Sequence, residues 1–423
     1  MPYIHTTIIG AGQAGLALSR CLTDRGIEHV VLERGAVGQR WRSERPATAR
    51  LLTPNWMSRL PGYRYQGEDP DGFMTMPEVA DFLARYARSF DAPVQTGTTV
   101  AEVSQVDCGF RVRTDRGDLR SRHVVVATGA CDVPRVPGFA ARAHPGLTQV
   151  TPPRYRGPDD LPAGGVLVVG ASATGVQLAA ELRAAGRRVV LAVGRHIRLP
   201  RTYRGRDIHR WLDLLGLLRR PARAGSADTH SVQLVGSPER RDLDLGTLQR
   251  AGVLLTGRLL DLDGTRATFA GDLPAHVAEA EYRLARVLAR VDAYIRTRDW
   301  SDPPPPAEPV PPVRPAVAPR ELDLTAAGIT SVIWATGYRR RYPWLRVPVL
   351  RADGEIAHRR GITTVPGLYA LGLPLQSRRN STFLDGVGYD ARYLARCLAG
   401  PRGSAVAPPS QRPPYFDSEV RLR

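Results

Sequence analysis

Lysine is absent from this 423-residue sequence, so all 59 basic residues are arginine. They outweigh 41 acidic residues, for a formal net charge of +18. A surplus of that size raises nucleic acid or an anionic membrane as partners. The arginines are spread along the whole chain, however, and form no basic block. The expected partners are therefore phosphorylated cofactors, with no nucleic acid. Cysteine is scarce: Cys21, Cys108, Cys131 and Cys397 form no CxxC and no metal-ligand spacing. That excludes a dithiol relay and a thiolate metal site, and fits buried thiols in a reducing cytoplasm. No apolar run approaches the length of a bilayer span, so no membrane is expected. The chain runs directly into a strand pattern, leaving no room for a signal segment. With 43% hydrophobic residues, what remains is a globular chain long enough for two or three domains.

The first of them opens at once. Ile4, Thr6, Ile8 and Ile9 form a short β-branched run, as a buried parallel strand requires. It ends in Gly10-Ala11-Gly12-Gln13-Ala14-Gly15, which starts a helical pattern over Leu16 to Asp24, closed by Gly26. A second strand, His29 to Leu32, then delivers Glu33. In this arrangement Gly10 permits the tight turn, Gly12 lets backbone N–H groups approach a pyrophosphate, and Gly15 allows close helix–strand packing. Glu33 would accept hydrogen bonds from the ribose of an adenosine half. Strand, glycine turn, helix and acid together predict a dinucleotide site.

The unit recurs. Val166 to Val169 lead into Gly170-Ala171-Ser172-Ala173-Thr174-Gly175, a helix over Val176 to Ala185, and a strand over Arg188 to Leu191. The slot of Glu33 is assigned to Ala192, with Arg195 three residues on. Without the carboxylate a 2′-phosphate is not repelled, and a guanidinium can bind it, which predicts NADPH here and FAD at the first site. Arg201 and Arg204 are further phosphate candidates, or plain surface. Two small-residue turns, Ala127-Thr128-Gly129 and Ala335-Thr336-Gly337, follow apolar strands and would let backbone approach a ligand.

Between these landmarks lies a long connection from Gly35 to Gly72, containing Trp41, Thr53, Asn55 and Trp56. A helix begins at Met76 with Val79, Phe82, Leu83 and Tyr86 on one face, and Thr98 to Thr114 reads as a hairpin. A further helical piece is expected at 208–218 and a long amphipathic helix at 273–295, packed on a domain face. Pro303 to Pro319, with its PPPP run, is expected to be an exposed, poorly ordered connector. A final helix over 386–398 has Asp385 as its expected N-cap. The predicted fold class is α/β, with an NADPH domain inserted in a discontinuous FAD domain. The segments are 1–160 (FAD), 161–319 (NADPH), 320–400 (FAD again) and a tail at 401–423.

The pair of glycine turns, the two ATG turns, LLTPNWMSRLPG at 51–62 and WATGY at 334–338 resemble the flavin-containing monooxygenase group. VGRHIRLPRTYRGRD at 193–207 and STFLDGVGYDARYLA at 381–395 look like bacterial FAD-dependent oxidoreductases. The resemblance implies that NADPH reduces FAD, that O₂ adds at flavin C4a, and that one oxygen atom passes to a small organic substrate. It implies a flavin-side role for Asn55, the expected catalytic residue. The implied cofactor-binding set is Gly10, Gly12, Gln13, Ala14, Gly15, Glu33, Arg34, Trp41, Thr53, Ala127, Thr128, Gly129, Gly170, Ser172, Thr174, Gly175, Arg195, Ala335, Thr336, Gly337, Asp385 and Val387. The chain departs from the group's Gly-His-aromatic fingerprint: Gly146 and Tyr155 are kept, but Thr151 stands where His is expected. Alternatives are an FAD-dependent dehydrogenase or oxidase of a specialised metabolite, and a non-catalytic flavin-binding redox sensor.

Overall fold

The computed structural model describes residues 1–46, 49–221 and 232–400. Its two main sheets follow one plan. In the first, β1 (Tyr3–Ile9) is flanked on one side by β2 (His29–Leu32) and then β3 (Val94–Gln95). On the other side lies the C-terminal half of β4 (Gly117–Val126), followed by β5 (Leu368–Ala370), and all of these pairings are parallel. In the second, β6 (Gly165–Val169) has β7 (Val189–Ala192) and then β8 (Leu254–Thr256) on one side. On its other side are β9 (Ile329–Trp334) and Thr148–Val150, again all parallel. The central strands are buried on both faces and carry Val, Ile and Leu, because each is covered on either side by other layers.

Helix α1 (Gln13–Thr23) packs on the first sheet through Leu16, Leu18 and Leu22, and α2 (Ala173–Ala184) on the second through Val176, Leu178 and Leu182. Both begin nearer their glycine turns than the apolar periodicity suggested. A third helix, α3 (Met76–Arg88), starts with a capping box between Thr75 and Glu78 and buries Val79, Phe82, Leu83 and Tyr86. The Tyr86 hydroxyl donates to the Pro61 carbonyl at 2.9 Å, tying the long connection to this helix.

Two expected boundaries move. β9 lies in the middle of the second sheet, so the NADPH-type domain extends through Trp334 and does not stop at 319. Thr148–Val150 also belongs to that sheet, so the first crossing comes well before 160. The two crossings run side by side, where Val133–Pro134 pairs antiparallel with Tyr338–Arg339. The expected 273–295 helix is observed over Leu273–Arg296 (α5). It and the proline-rich segment enter between strands Arg266–Phe269 and Glu321–Asp323 of a small antiparallel sheet. That segment has no regular structure, but it is not a loose connector. Pro311 O accepts from Arg198 Nη2 at 2.6 Å, Val313 N–H donates to Glu281 Oε1 at 3.0 Å, and Ala316 N–H donates to Gln249 Oε1 at 2.9 Å. A proline run makes no internal backbone hydrogen bonds, so its carbonyl and N–H groups are open to side chains of the second domain, which have taken these three. The shorter piece, α4, covers Ile208–Leu214 only. No helix among the described residues is long and apolar enough to cross a membrane, and no metal-ligand cluster occurs among them. The 401–423 tail lies outside the described residues.

Candidate active site

Both glycine turns are built alike. Gly10 and Gly170 have φ of +108° and +109°, a region that disfavours side chains. A Cβ on Gly10 would lie 2.7 Å from Ala127 O, and one on Gly170 2.5 Å from Ala335 O. Each ATG turn is therefore the backbone against which its own glycine turn closes: 127–129 in the first domain, 335–337 in the second. Gly15 and Gly175 serve packing, since their Cβ atoms would sit 1.9 and 1.7 Å from the carbonyls of Gly10 and Gly170. Neither lines the cleft.

The two turns open into one continuous cleft of ≈ 2530 Å³. A single drug-sized ligand fills roughly 300–1,000 Å³, so this space suits two dinucleotides and a further small molecule. Its walls include Gly10, Gly12, Gln13, Ala14, Glu33, Arg34, Trp41, Thr53 and Ala127 to Gly129 from the first domain. Gly170, Ser172, Thr174, Arg195 and Ala335 to Gly337 line it from the second. A Cβ built on Gly12 meets no protein atom within 4 Å, so the missing side chain leaves room on the cleft side alone. Glu33 accepts from Ala11 N–H at 2.8 Å and Gly35 N–H at 3.0 Å, which fixes its carboxylate and leaves lone pairs for ribose hydroxyls. These features fit an adenine dinucleotide at each turn.

The strand register corrects the comparison of the two acid slots. Ile9 pairs with Leu32 and Val169 with Ala192, so Ala192 matches Leu32 and the counterpart of Glu33 is Val193. Val193 is fully buried, and its N–H donates to Thr256 O at 3.1 Å. The carboxylate is still missing from the second site. Arg195 is exposed on the cleft wall with no acidic partner among the described residues.

Asn55 is not at the site. It is 4% exposed, with Nδ2 donating to Asp69 O at 3.0 Å and Oδ1 accepting from Met74 N–H at 2.8 Å. Both amide atoms are spent on stitching residue 55 to segment 69–74, and the side chain does not line the cleft. We expect Asn55→Ala to cost about 1–3 kcal/mol of stability in urea unfolding, as buried backbone partners lose their bonds. The fraction of NADPH coupled to product should stay unchanged; a variant of native stability with altered coupling would return Asn55 to the mechanism.

Asp385 and Val387 are also displaced from their expected roles. Gly386 is the cap residue of α6 (Val387–Leu398), without a side-chain capping bond. The Asp385 carboxylate instead pairs with Arg59 at 2.7 Å. Val387 is fully buried, and its N–H is taken by Phe383 O at 3.0 Å. Arg201 is neither surface nor phosphate ligand, being 0% exposed with both terminal nitrogens bonded to Leu52 O, Asp207 and His209. Arg204 pairs with Asp292 at 2.7 Å. Thr151 forms a turn, its carbonyl accepting from Arg154 and Tyr155 N–H, and Tyr155 is core.

Several wall residues were not among those expected, Thr382 first: its carbonyl accepts from Gln13 Nε2 at 3.1 Å, bringing the 380s loop against the first helix. His209, Leu212, Phe383 and Leu375 also line the cleft, and Leu375 carries the unusual φ of +54° for a bulky residue. A lone His in the first turn of a short helix gives no local signal.

A family model described as pyridine nucleotide-disulphide oxidoreductase matches residues 7–212. An oxidoreductase of Geobacillus kaustophilus described as CzcO-like is 32% identical over 396 residues, covering 92% of this chain and 97% of its own. The rice indole-3-pyruvate monooxygenase YUCCA1 is 31% identical over 182 residues, 41% of this chain and 44% of its own. A flavin-containing monooxygenase from Stenotrophomonas maltophilia superposes with a TM-score of 0.66 at 18% identity, over 94% of this chain and 99% of that one. Matched over nearly the full length of both chains to the Geobacillus protein, and carrying a cleft shaped for FAD and NADPH, the chain belongs to the CzcO-like oxidoreductases.

Proposed function

We propose that the protein is an NADPH-dependent flavoprotein monooxygenase acting on a small organic molecule. The carrying observation is the continuous cleft that joins both glycine turns. Among the described residues it contains no disulfide and no cysteine pair to receive electrons, since only Cys131 of the four thiols lines it. The balance is substrate + O₂ + NADPH + H⁺ giving oxygenated product + H₂O + NADP⁺. Bound NADPH supplies the hydride and bound FAD makes two-electron chemistry with O₂ possible. The chain's own residues bind, orient and keep the site dry. The N-termini of α1 and α2, without side-chain caps, would hold the pyrophosphates, and Glu33 would hold the ribose of the first dinucleotide. One relative supports oxygen transfer as the outcome, the rice protein described as an indole-3-pyruvate monooxygenase.

The test is NADPH oxidation by the yellow protein under ¹⁸O₂ with a panel of thioethers, amines and ketones. Label in a product is the expected result. Hydrogen peroxide equal to the NADPH consumed with every substrate would make the protein an oxidase, and no NADPH consumption at all would make it a sensor.

Coenzyme preference should rest on Arg195, which follows the second strand where no acid opposes a 2′-phosphate. Arg195→Ala removes a charge-assisted hydrogen bond, and should weaken NADPH by about ten- to a hundredfold while NADH is barely affected. Equal weakening of both, in steady-state KM and direct titration, would assign Arg195 a structural role.

A further inference from the structure

One arginine side chain joins the long loop of the first domain to α4 of the second. Arg201 Nη1 donates to Leu52 O at 2.8 Å, while Nη2 donates to Asp207 Oδ1 at 2.8 Å and to His209 Nδ1 at 2.8 Å. Leu52 and His209 both line the cleft, so the guanidinium sets them together at its wall. His209 Nδ1 also lies 3.2 Å from Asp207 Oδ1, but that oxygen already accepts from Arg201 and from His209 N–H. A proton on Nδ1 would collide with the closer Arg201 N–H. The ring is therefore held as the Nε2–H tautomer. Burial first, and then the neighbouring Arg201 charge, push the imidazolium down, outweighing the Asp207 hydrogen bond that favours it. The result is a neutral N–H donor.

No hydrogen bond from Nε2 to a protein atom is found among the described residues, and His209, 4% exposed, lies on the cleft wall. Apolar side chains share its stretch of the cleft wall. Leu212 lies one turn on along α4, on the same face, and Leu218 and Phe383 pack with it in one cluster. Asn380 N–H donates to Leu218 O at 3.1 Å, which closes the pocket against the 380s loop. Leu212, Leu218 and Phe383 all line the same cleft as the glycine turns. An apolar wall with one oriented donor is what a small-molecule subsite needs.

We propose that this pocket is the organic-substrate subsite, and that it takes an apolar molecule carrying an sp² oxygen acceptor, held by His209 Nε2–H. This rests on the monooxygenase reading for its chemistry, but not for its binding. Arg201 is then a positioning residue, acting through the ring it orients.

The experiment uses oxidised holoprotein without NADPH, and measures by equilibrium dialysis the Kd of 4-phenylbutan-2-one and of butylbenzene, which lacks the acceptor. The ratio of the two cancels their different partitioning into any apolar pocket. In His209→Phe that ratio should move against the ketone by about three- to tenfold, the loss of one neutral hydrogen bond. His209→Gln, which can place an amide N–H near the Nε2 position, should restore part of it. His209→Leu is smaller and equally without a donor, and carries the same expectation should the Phe variant not fold. An unchanged ratio in the donorless variants, or equal weakening of both ligands, would overturn the assignment. Because no turnover is involved, the ketone preference survives even if NADPH oxidation yields only hydrogen peroxide; that outcome sinks oxygenation and leaves the subsite standing.

Discussion

Gly12→Val should give a protein that folds, purifies without flavin, and reduces nothing. The second glycine turn explains why the fold should tolerate the change. Gly12 has φ −82° and ψ −174°, and Ser172, its counterpart in the GASATG turn, has φ −78° and ψ −178°. That backbone is open to any residue, and the chain itself places a side chain there. A Cβ at position 12 meets no protein atom within 4 Å. The demand for glycine at position 12 therefore comes from outside the protein, from a pyrophosphate lying against the turn. Valine would occupy that volume, whereas Gly12→Ser should keep part of the flavin, as Ser172 leaves its own turn open. Gly15→Val is the contrast. Its Cβ would meet Gly10 O at 1.9 Å, so flavin should be lost because the domain does not form. Flavin absorbance read with far-UV circular dichroism separates the two cases, and a fully yellow Gly12→Val protein would remove the first turn from FAD binding.

These turns were legible because they are local: strand, glycine spacing, helix and acid lie within one βαβ unit, where each residue's role depends on its near neighbours. What failed depended on contacts between distant segments. The counterpart of Glu33 needed strand register, which a count from the last apolar residue shifts by one, so Ala192 took the place of Val193. β9 belongs to the second sheet, although the sequence resumes strand grammar only just before it, because long helical and proline-rich insertions hide the continuity of a small antiparallel sheet. Asn55 read as a donor and acceptor suited to a ligand; residues 69–74 return to use both atoms, and nothing near position 55 announces it. Arg201 was hidden for the opposite reason. In a chain whose every base is arginine, one buried guanidinium looks like the others.

Arg201→Met should therefore be the most destabilising single change outside the glycine turns, by about 3–5 kcal/mol, because it strands a partner in the interior. Arg201 is 0% exposed and its ion pair with Asp207 measures 2.7 Å, with the Asp207 side chain 8% exposed. The same guanidinium lies 4.9 Å from the Phe73 ring centroid and bonds Leu52 O, so its loss also releases a contact between the domains. Burial pushes the Asp207 carboxyl up, but its contacts with His209, including the bond from the His209 backbone N–H, and the Arg201 charge outweigh it and hold the group below the usual carboxylate range. A depressed carboxyl contributes stability that is complete above its unfolded pKa and is lost as pH falls through the folded value. Without Arg201 burial gains the upper hand, the carboxyl rises, and protonation relieves the variant in mildly acidic buffer. The gap between wild type and Arg201→Met should accordingly be widest near neutrality and narrow as pH falls. Arg201→Met combined with Asp207→Asn should recover part of the loss at neutral pH, because the second change removes the unpaired charge. Denaturant unfolding of wild type, Arg201→Met, Asp207→Asn and the double variant at neutral and acidic pH reads both effects. A single variant within 1 kcal/mol of wild type, or a gap that ignores pH, would show that the pair is solvated and that Arg201 does not hold the two domains and the His209 ring in place.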